Sequence, residues 1–171
     1  MLSVTQFRPY KVRECAKEPR LHALFSSSLP GKGGFKYGRV TMESHPLHSL
    51  LVISDVADNL ASCFQIENNQ WNIGCHLVIY QDGKDSINWH ADNTQGEDAV
   101  VSLTVESPPD AKTICFQPAN DVPLQEEDEQ IELFPISGNA YSMDGAVQHG
   151  YVHAMLKTRH GISGRRMAII F

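Results

Sequence analysis

The chain has 171 residues, a length that favours one domain whose hydrophobic core needs neither disulfides nor a structural metal. It carries a net charge of −6 and has no apolar stretch of about eighteen residues, so a membrane-spanning helix is excluded and no secretory signal is expected. Four cysteines without paired spacing indicate reduced thiols of an intracellular protein rather than disulfides or a zinc site.

The charge is distributed unevenly along the chain. Residues 1–44 contain eight lysines and arginines and three glutamates, a net charge of +5, so the remainder carries −11. Such a basic segment suits the phosphates of DNA or RNA, and ordinary solvated surface charges explain it equally well. Residues 26–34 are rich in Ser, Gly and Pro and predict a flexible loop. We therefore divide the chain into a basic N-terminal arm with its loop, residues 1–34, and one domain, residues 35–171.

Beyond the loop, the hydrophobic pattern predicts an extended segment, then a helix, then many strands. Residues 35–42 are expected to form a short strand or an extended lid, and residues 46–64 a helix whose apolar residues face the core. The period then changes to alternation. Strands are predicted at residues 72–80, 86–92, 99–106, 113–117, 131–134, 139–143, 147–155 and 165–171. This order indicates a mainly β protein with flanking helices, built as a sandwich or barrel.

A histidine and a carboxylate two residues apart are the first candidates for chemistry. If residues 86–92 form a strand, side chains alternate between its faces, so His90 and Asp92 lie on one face and Trp89 on the other. With a histidine from a distant strand, they can occupy three adjacent positions around Fe(II), leaving the others for a chelating acid and dioxygen. The tripeptide alone is a weak signal, because about half of one His-x-Asp is expected by chance in this composition.

Two further strands each present polar groups on one face. In residues 72–80, the side chains of His76, Val78 and Tyr80 point away from an apolar face. Tyr80 can donate its hydroxyl to a bound carboxylate, and a core tyrosine with a satisfied hydroxyl is equally consistent with the pattern. Arg166 projects from an apolar strand, where burial of a guanidinium is costly unless it meets an anion; a carboxylate matches its planar fork.

Four segments, in order, resemble the motifs of the AlkB-type dioxygenases. Residues 76–92 are similar to that family's strand, turn and His-x-Asp strand, which read close to N-x-Y-x-x-G-x-D-x-I-x-x-H-x-D. The other segments are residues 100–104, 138–145 and 166–171, which resemble its next strand, its G-D-L-L-V-M-x-G segment and its closing R-x-x-L-T-F-R strand. The similarity covers about residues 35–171 without large gaps.

The resemblance implies a double-stranded β-helix, or jelly-roll, core that holds an iron ion. His90, Asp92 and His153 would be the Fe(II) ligands and hence the catalytic centre. His149 is a rival for the third position, because it precedes His153 by four residues and shares its face in a regular strand. The family's spacing of ten residues after the methionine, here Met143, favours His153.

The resemblance also implies a site for 2-oxoglutarate, with dioxygen as the second co-substrate. Arg166 and Tyr80 would hold the distal carboxylate of 2-oxoglutarate. Arg166 is selected over Arg165 because the family's arginine precedes the closing phenylalanine by five residues. Val78 stands where the family has an asparagine, so a polar contact to the co-substrate must come from elsewhere, and His76 is the candidate.

Three functions follow as hypotheses. The leading one is oxidative demethylation of N-alkylated bases in methylated DNA or RNA, with the base flipped out of its stack. The basic arm and the lid-like segment at residues 35–42 favour it. The second keeps the chemistry on a protein side chain, a nucleoside or a small metabolite, and the third is a catalytically silent binding module. The protein is expected to act as an intracellular monomer without a membrane partner.

Overall fold

The structure, a computed structural model, describes most of the chain. It covers residues 8–9, 20–27, 35–37, 40–42, 44–49, 51–66, 74–92, 99–109, 113–119, 130–157 and 164–171. The strands are β1 (Arg8–Pro9), β2 (Leu21–Ser26), β3 (Phe35–Tyr37), β4 (Val40–Met42), β5 (Ser44–Pro46), β6 (Gly74–Tyr80), β7 (Ile87–His90), β8 (Val100–Glu106), β9 (Ile114–Pro118), β10 (Ile131–Leu133), β11 (Ala140–Met143), β12 (Tyr151–Met155) and β13 (Arg166–Ile170). The α-helices are α1 (Leu51–Cys63) and α2 (Gly145–Gly150), and a 3-10 helix spans Leu47–Ser49.

Two sheets form the body of the fold. In the larger sheet the strand order is β1-β2-β6-β13-β8-β11, and β5 pairs with β2 in parallel. The smaller sheet has the order β10-β9-β12-β7, and all of its pairings are antiparallel. A separate hairpin joins β3 and β4, within the segment predicted to be a strand or lid. The mainly β, jelly-roll fold class expected from the sequence is confirmed.

Alternation of side chains along β6 and β13 divides the buried side chains into two clusters. One cluster lies between the larger sheet and α1, and its members are Ala23, Phe25, Leu47, Ile53, Cys75, Leu77 and Ile169. The other lies between the two sheets, and its members are Val78, Tyr80, Val100, Ile114, Phe116, Met143 and Met155. The predicted division of β6 into two faces is therefore confirmed. The face of β6 that carries Tyr80 looks towards the smaller sheet.

The helix begins later than the pattern predicted. Pro46 belongs to β5, where it pairs with Ser26, so α1 starts at Leu51. Its buried stripe is Ile53, Ala57 and Ala61, at a spacing of four residues. Leu51, expected in the core, is 73% exposed, because two residues turn a helix by about 200° and place it opposite Ile53.

The predicted strand at residues 147–155 is wrong in its first half. Residues 145–150 form α2, and β12 begins only at Tyr151. Asp144 is the N-cap of α2: its Oδ1 accepts a hydrogen bond of 2.9 Å from the Val147 amide, and its carbonyl accepts one from the Gln148 amide. An aspartate followed by glycine was the signal that the apolar pattern concealed.

The larger sheet includes a strand that the sequence pattern did not predict. β2 pairs with β6 from Leu21 opposite Ile79 to Ser26 opposite Gly74, within the segment assigned to the basic arm. Ala23, Leu24 and Phe25 are all buried, and a strand covered on both faces lacks the alternation that marks a half-buried one. Apart from Arg20, the basic side chains of the arm lie outside the described residues, as do residues 28–34 of the predicted loop. No helix among the described residues has the length and apolar character of a membrane span.

Candidate metal centre and co-substrate cavity

The first two candidate ligands lie at the end of β7 and just beyond it. β7 ends at His90, and Asp92 follows in a loop rather than in the strand predicted to contain it. The two side chains still converge, with 3.7 Å between His90 Nε2 and Asp92 Oδ1. Each side chain is about three quarters buried from solvent and lines the cavity between the sheets.

His153 on β12 completes the cluster. Its backbone lies directly opposite that of His90, and its Nε2 is 3.6 Å from Asp92 Oδ2. One ligand atom from each of the three residues lies within 4.8 Å of the other two. The ring of Phe116 on β9 packs beside the imidazole of His153, with 5.7 Å between centroids, and restricts its position. Two imidazole nitrogens and a carboxylate therefore face one point.

The protonation of the two histidines suits a metal. His90 Nδ1 lies 2.7 Å from the Asn88 carbonyl, which can only accept, so Nδ1 is the donor in this contact and Nε2 is the nitrogen left to bind a metal. Burial, and then the neighbouring His90, lower the pKa of His153 to about 4, although Asp92 opposes the shift. His153 is therefore neutral near pH 7, as a metal ligand must be.

The distances within the cluster fit a cation better than a hydrogen-bonded network. At 3.6 and 3.7 Å, the His153–Asp92 and His90–Asp92 contacts are too long for hydrogen bonds. A cation between the three side chains would attract the carboxylate of Asp92 and the ring nitrogens of both histidines. Two histidines and one carboxylate, with open positions on one side, form the donor set of non-haem Fe(II) sites.

The cavity beside this cluster has a volume of about 620 Å³ including its open mouth. Both sheets line it. The larger sheet contributes His76, Val78, Tyr80, Arg166, Ala168 and Ile170, and the smaller sheet contributes Ile87, Ile114 and Met155. Among the lining residues that the structure describes, only Asp92 carries a carboxylate. The other described lining residues are apolar, neutral polar or cationic, which favours a ligand with its own negative charge.

Arg166 is a buried cation of this cavity. Its side chain is 3% exposed; Nη2 donates to Thr104 Oγ1 at 3.2 Å, and Nη1 contacts Met155 Sδ at 3.3 Å. Among the described residues, no hydrogen-bond acceptor reaches its buried Nε. Burial lowers the pKa of Arg166, and the hydroxyl groups of Tyr80 and Tyr141 partly oppose that shift. Because Nη1 meets only a weak thioether acceptor and Nε meets none among the described residues, this buried guanidinium is suited to bind a carboxylate.

The other predicted co-substrate residues lie on the same wall. Tyr80 is directly opposite Arg166 in the β6–β13 pair, Val78 is opposite Ala168, and both Tyr80 and Val78 are buried. His76, two residues before Val78 on β6, also lines the cavity. The structure thus brings His76, Val78, Tyr80 and Arg166 together on one face, as the alternation predicted.

The two rival residues lie elsewhere. His149 is an exposed residue of α2 and does not join the cluster of His90 and Asp92, because α2 replaces the regular strand that would have aligned it with His153. Arg165 points to the outside of the sheet, where its Nε donates to Glu106 Oε2 at 2.9 Å.

Two residues of the cavity were missed by the sequence analysis. Tyr141 on β11 lies opposite Ser102 and lines the cavity, and burial raises its pKa, although Ser102 and the charge of Arg166 oppose that shift. Its position beside Met143 in the predicted strand at 139–143 was a usable signal. Arg20, just before β2, is 2% exposed and donates from Nη1 to the Tyr80 hydroxyl at 3.1 Å. Only the pairing of β2 with β6 brings it there.

Comparison with known proteins gives matches of structure alone. No protein-family model matches the sequence, and no curated protein matches it. A prolyl-4-hydroxylase from Pseudomonas putida superposes with a TM-score of 0.56 and 12% identity, over 97% of this chain and 76% of the hydroxylase. A Trichoplax adhaerens prolyl hydroxylase, in complex with a peptide fragment of the hypoxia inducible factor oxygen degradation domain, superposes with a TM-score of 0.57 and 14% identity. The match covers 96% of this chain and 69% of the hydroxylase.

A third structure, an oxidoreductase of the 2OG-Fe(II) oxygenase family from Burkholderia pseudomallei, gives a TM-score of 0.55 at 10% identity, over 96% of this chain and 70% of the oxidoreductase. At such identities the similarity shows a shared fold. This chain therefore has the fold of the 2OG-Fe(II) oxygenases. None of the three structures is described as AlkB-type, so that narrower resemblance stays a prediction.

Proposed function

We propose that this protein is an Fe(II)- and 2-oxoglutarate-dependent dioxygenase. The observation that carries the proposal is the convergence of His90, Asp92 and His153 on one point of a cavity whose opposite wall holds the buried Arg166. The first three residues would hold Fe(II), and Arg166 with Tyr80 would bind the distal carboxylate of 2-oxoglutarate. The shared fold supports the same assignment.

The chemistry of such a site comes from its cofactors, whereas the protein orients them. When bound, Fe(II) and 2-oxoglutarate supply an oxidation in which dioxygen and the keto acid give succinate, carbon dioxide and one oxygen atom inserted into a substrate C–H bond. Arg166 and Tyr80 fix the far end of the acid by charged and neutral hydrogen bonds. Val78, Ala168 and Ile170 form an apolar wall that limits water around the reacting groups.

For the substrate, we propose N-methylated bases of DNA or RNA. Oxidation of the methyl carbon gives an N-hydroxymethyl group, which breaks down to formaldehyde and the unmodified base. The motif resemblance over residues 35–171 and the +5 charge of residues 1–44 support this choice. The β3–β4 hairpin occupies the segment that resembles a nucleotide-facing lid. A base would have to leave its stack to reach the cavity.

A protein side chain is the second candidate substrate, favoured by a different observation. Two of the structural neighbours are prolyl hydroxylases, and one was solved with a bound peptide fragment. The site proposed here would serve this reaction without change, because the same C–H oxidation on a side chain leaves a stable alcohol.

Two measurements test the proposal in sequence. Anaerobic addition of Fe(II) and 2-oxoglutarate should produce the weak visible absorption band of an iron-chelated keto acid. No band at saturating concentrations would refute the oxygenase assignment and leave a silent binding module. Methylated and unmethylated single-stranded DNA and RNA are then compared with proline-containing peptides, with formaldehyde and peptide mass as readouts. Methyl-dependent formaldehyde release supports demethylation, and a mass increase of one oxygen on a peptide supports the second candidate.

A further inference from the structure

A thioether lies against the guanidinium that the proposed function assigns to the co-substrate. Met155 Sδ is 3.3 Å from Arg166 Nη1, and both side chains are 3% exposed. The contact joins the two sheets, because Met155 is on β12 and Arg166 is on β13. A thioether sulfur is a weak acceptor, so this contact is weaker than the one that Arg166 Nη2 makes with Thr104 Oγ1 at 3.2 Å.

Met155 is buried from bulk solvent but open to the cavity. Its side chain lines the space between the sheets, which has a volume of about 620 Å³ including its mouth. A molecule as small as hydrogen peroxide can therefore reach the sulfur. Met143 on β11 is also 3% exposed and also lines this space. Contact with a described guanidinium is what distinguishes Met155 from Met143.

Peroxide oxidises a thioether in a balanced two-electron step. A sulfur lone pair attacks one oxygen of hydrogen peroxide, the O–O bond breaks as the S–O bond forms, and the departing hydroxide takes the remaining proton and leaves as water. Sulfur has two lone pairs, so contact with Arg166 through one leaves the other for this attack. The guanidinium assists, because it can donate a hydrogen bond to the departing oxygen.

Oxidation would change what Arg166 meets in the cavity. The sulfoxide oxygen is a polar acceptor on the atom that already contacts Nη1, so a strong hydrogen bond replaces a weak one. A carboxylate that approaches the same guanidinium must then displace an acceptor that is tethered beside it. The loss of one charged hydrogen bond weakens binding by about tenfold to a hundredfold.

We propose that Met155 is a modification site, oxidised by hydrogen peroxide to the sulfoxide, and that the new oxygen occupies Arg166 and excludes the distal carboxylate of 2-oxoglutarate. The exclusion of 2-oxoglutarate rests on the proposed function, whereas the oxidation does not. The site thus couples binding of the co-substrate to the presence of peroxide.

The first measurement follows the oxidation alone. The full chain, freed of metal by a chelator so that peroxide acts on the thioethers directly, is treated with limiting hydrogen peroxide. Digestion before Asp144 and after Lys157 puts Met143 and Met155 on separate peptides for mass analysis. Met155 should gain one oxygen before Met143 does. Oxidation of Met143 first, or of both at the same rate, would overturn the proposal.

The second measurement follows binding after peroxide has been removed. The treated protein is loaded with Fe(II) without oxygen, and the chelate absorption band is titrated with 2-oxoglutarate and with 2-oxopentanoate, a keto acid of equal length that lacks the distal carboxylate. Treatment should weaken 2-oxoglutarate binding by about tenfold to a hundredfold and 2-oxopentanoate binding by less than about twofold. Equal weakening of both acids, or of neither, would contradict the exclusion.

Two variants assign the effect to this one sulfur. Met155→Leu keeps the side-chain volume without the sulfur, so its affinities before and after peroxide should agree. A loss on treatment in this variant would place the damage elsewhere and refute the proposal. Met155→Gln puts a carbonyl acceptor beside Arg166 without peroxide and should bind 2-oxoglutarate more weakly than Met155→Leu does, with 2-oxopentanoate unaffected. Absence of any band in the untreated, unaltered protein refutes the proposed function instead, and the mass comparison still decides the oxidation.

Discussion

His153 lies directly opposite His90 in the antiparallel pair of β12 and β7, with 4.2 Å between the centroids of the two rings. The register shifts immediately after this pair, between His153 and Met155. Such irregularities redirect side chains next to functional sites. The third candidate ligand is thus fixed by the pairing of two strands that are distant in sequence, and its neighbour Met155 is brought against Arg166.

Replacement of His153 is expected to abolish metal binding. In His153→Gln, the cluster loses one of its three donors, and the affinity for Fe(II), measured by anaerobic calorimetry, should fall more than about a hundredfold, since even outer groups of metal sites contribute tenfold to a hundredfold. His149→Gln is the matched control and should bind as the original protein does, because His149 is exposed on α2. The reverse pattern would reassign the ligand to His149.

Arg166 and Arg165 offer a second matched pair. Arg166→Gln should raise the 2-oxoglutarate concentration needed for half-saturation by about tenfold to a hundredfold, because a buried charged donor is lost from the cavity. Arg165→Gln removes only an exposed ion pair with Glu106, which contributes at most about 1 kcal/mol to stability. A raised requirement in Arg165→Gln and none in Arg166→Gln would contradict the assignment.

Thiol labelling should distinguish the cysteines by burial. Cys63 on α1 is exposed, whereas Cys75 and Cys115 are buried. Burial raises the pKa of Cys75 to about 12, so almost none of it is thiolate near pH 8. Iodoacetamide at pH 8, followed by peptide mass analysis, should modify Cys63 rapidly and the two buried thiols only after denaturant is added. Rapid labelling of Cys75 in the folded protein would show that the core between α1 and the sheet opens.

Leu77 and Leu51 test the position of that same core. Leu77 on β6 is 2% exposed among the side chains packed beneath α1, and Leu77→Ala should lower the free energy of unfolding by about 2 to 5 kcal/mol. Leu51, 73% exposed, should change it by no more than about 0.5 kcal/mol when replaced by Ala. Urea unfolding followed by circular dichroism measures both. Similar losses in the two variants would mean that α1 packs with a different face.

Much of the cavity wall could be read from alternation. Along β6 and β13 a period of two assigned Val78, Tyr80 and Arg166 to one face, and the structure places all three there. The same reasoning failed for β2, whose central residues are buried on both faces, and for residues 147–150, where the Asp144 cap starts a helix. An alternating pattern arises when one face of a strand is buried and the other is exposed. It therefore does not mark a strand that is buried on both faces, or a segment in which an N-cap residue starts a helix.

The sequence by itself determined the mainly β fold, the shared face of the β6 and β13 residues, and the closeness of His90 to Asp92, because each depends on backbone geometry within a few residues. Tertiary structure alone decided that Arg20 stands beside Tyr80, and it brought His153, which the resemblance favoured over His149, next to His90 and Asp92. These contacts depend on the register between distant strands. That register is set by how the two sheets and α1 bury their apolar faces together, which no local pattern encodes.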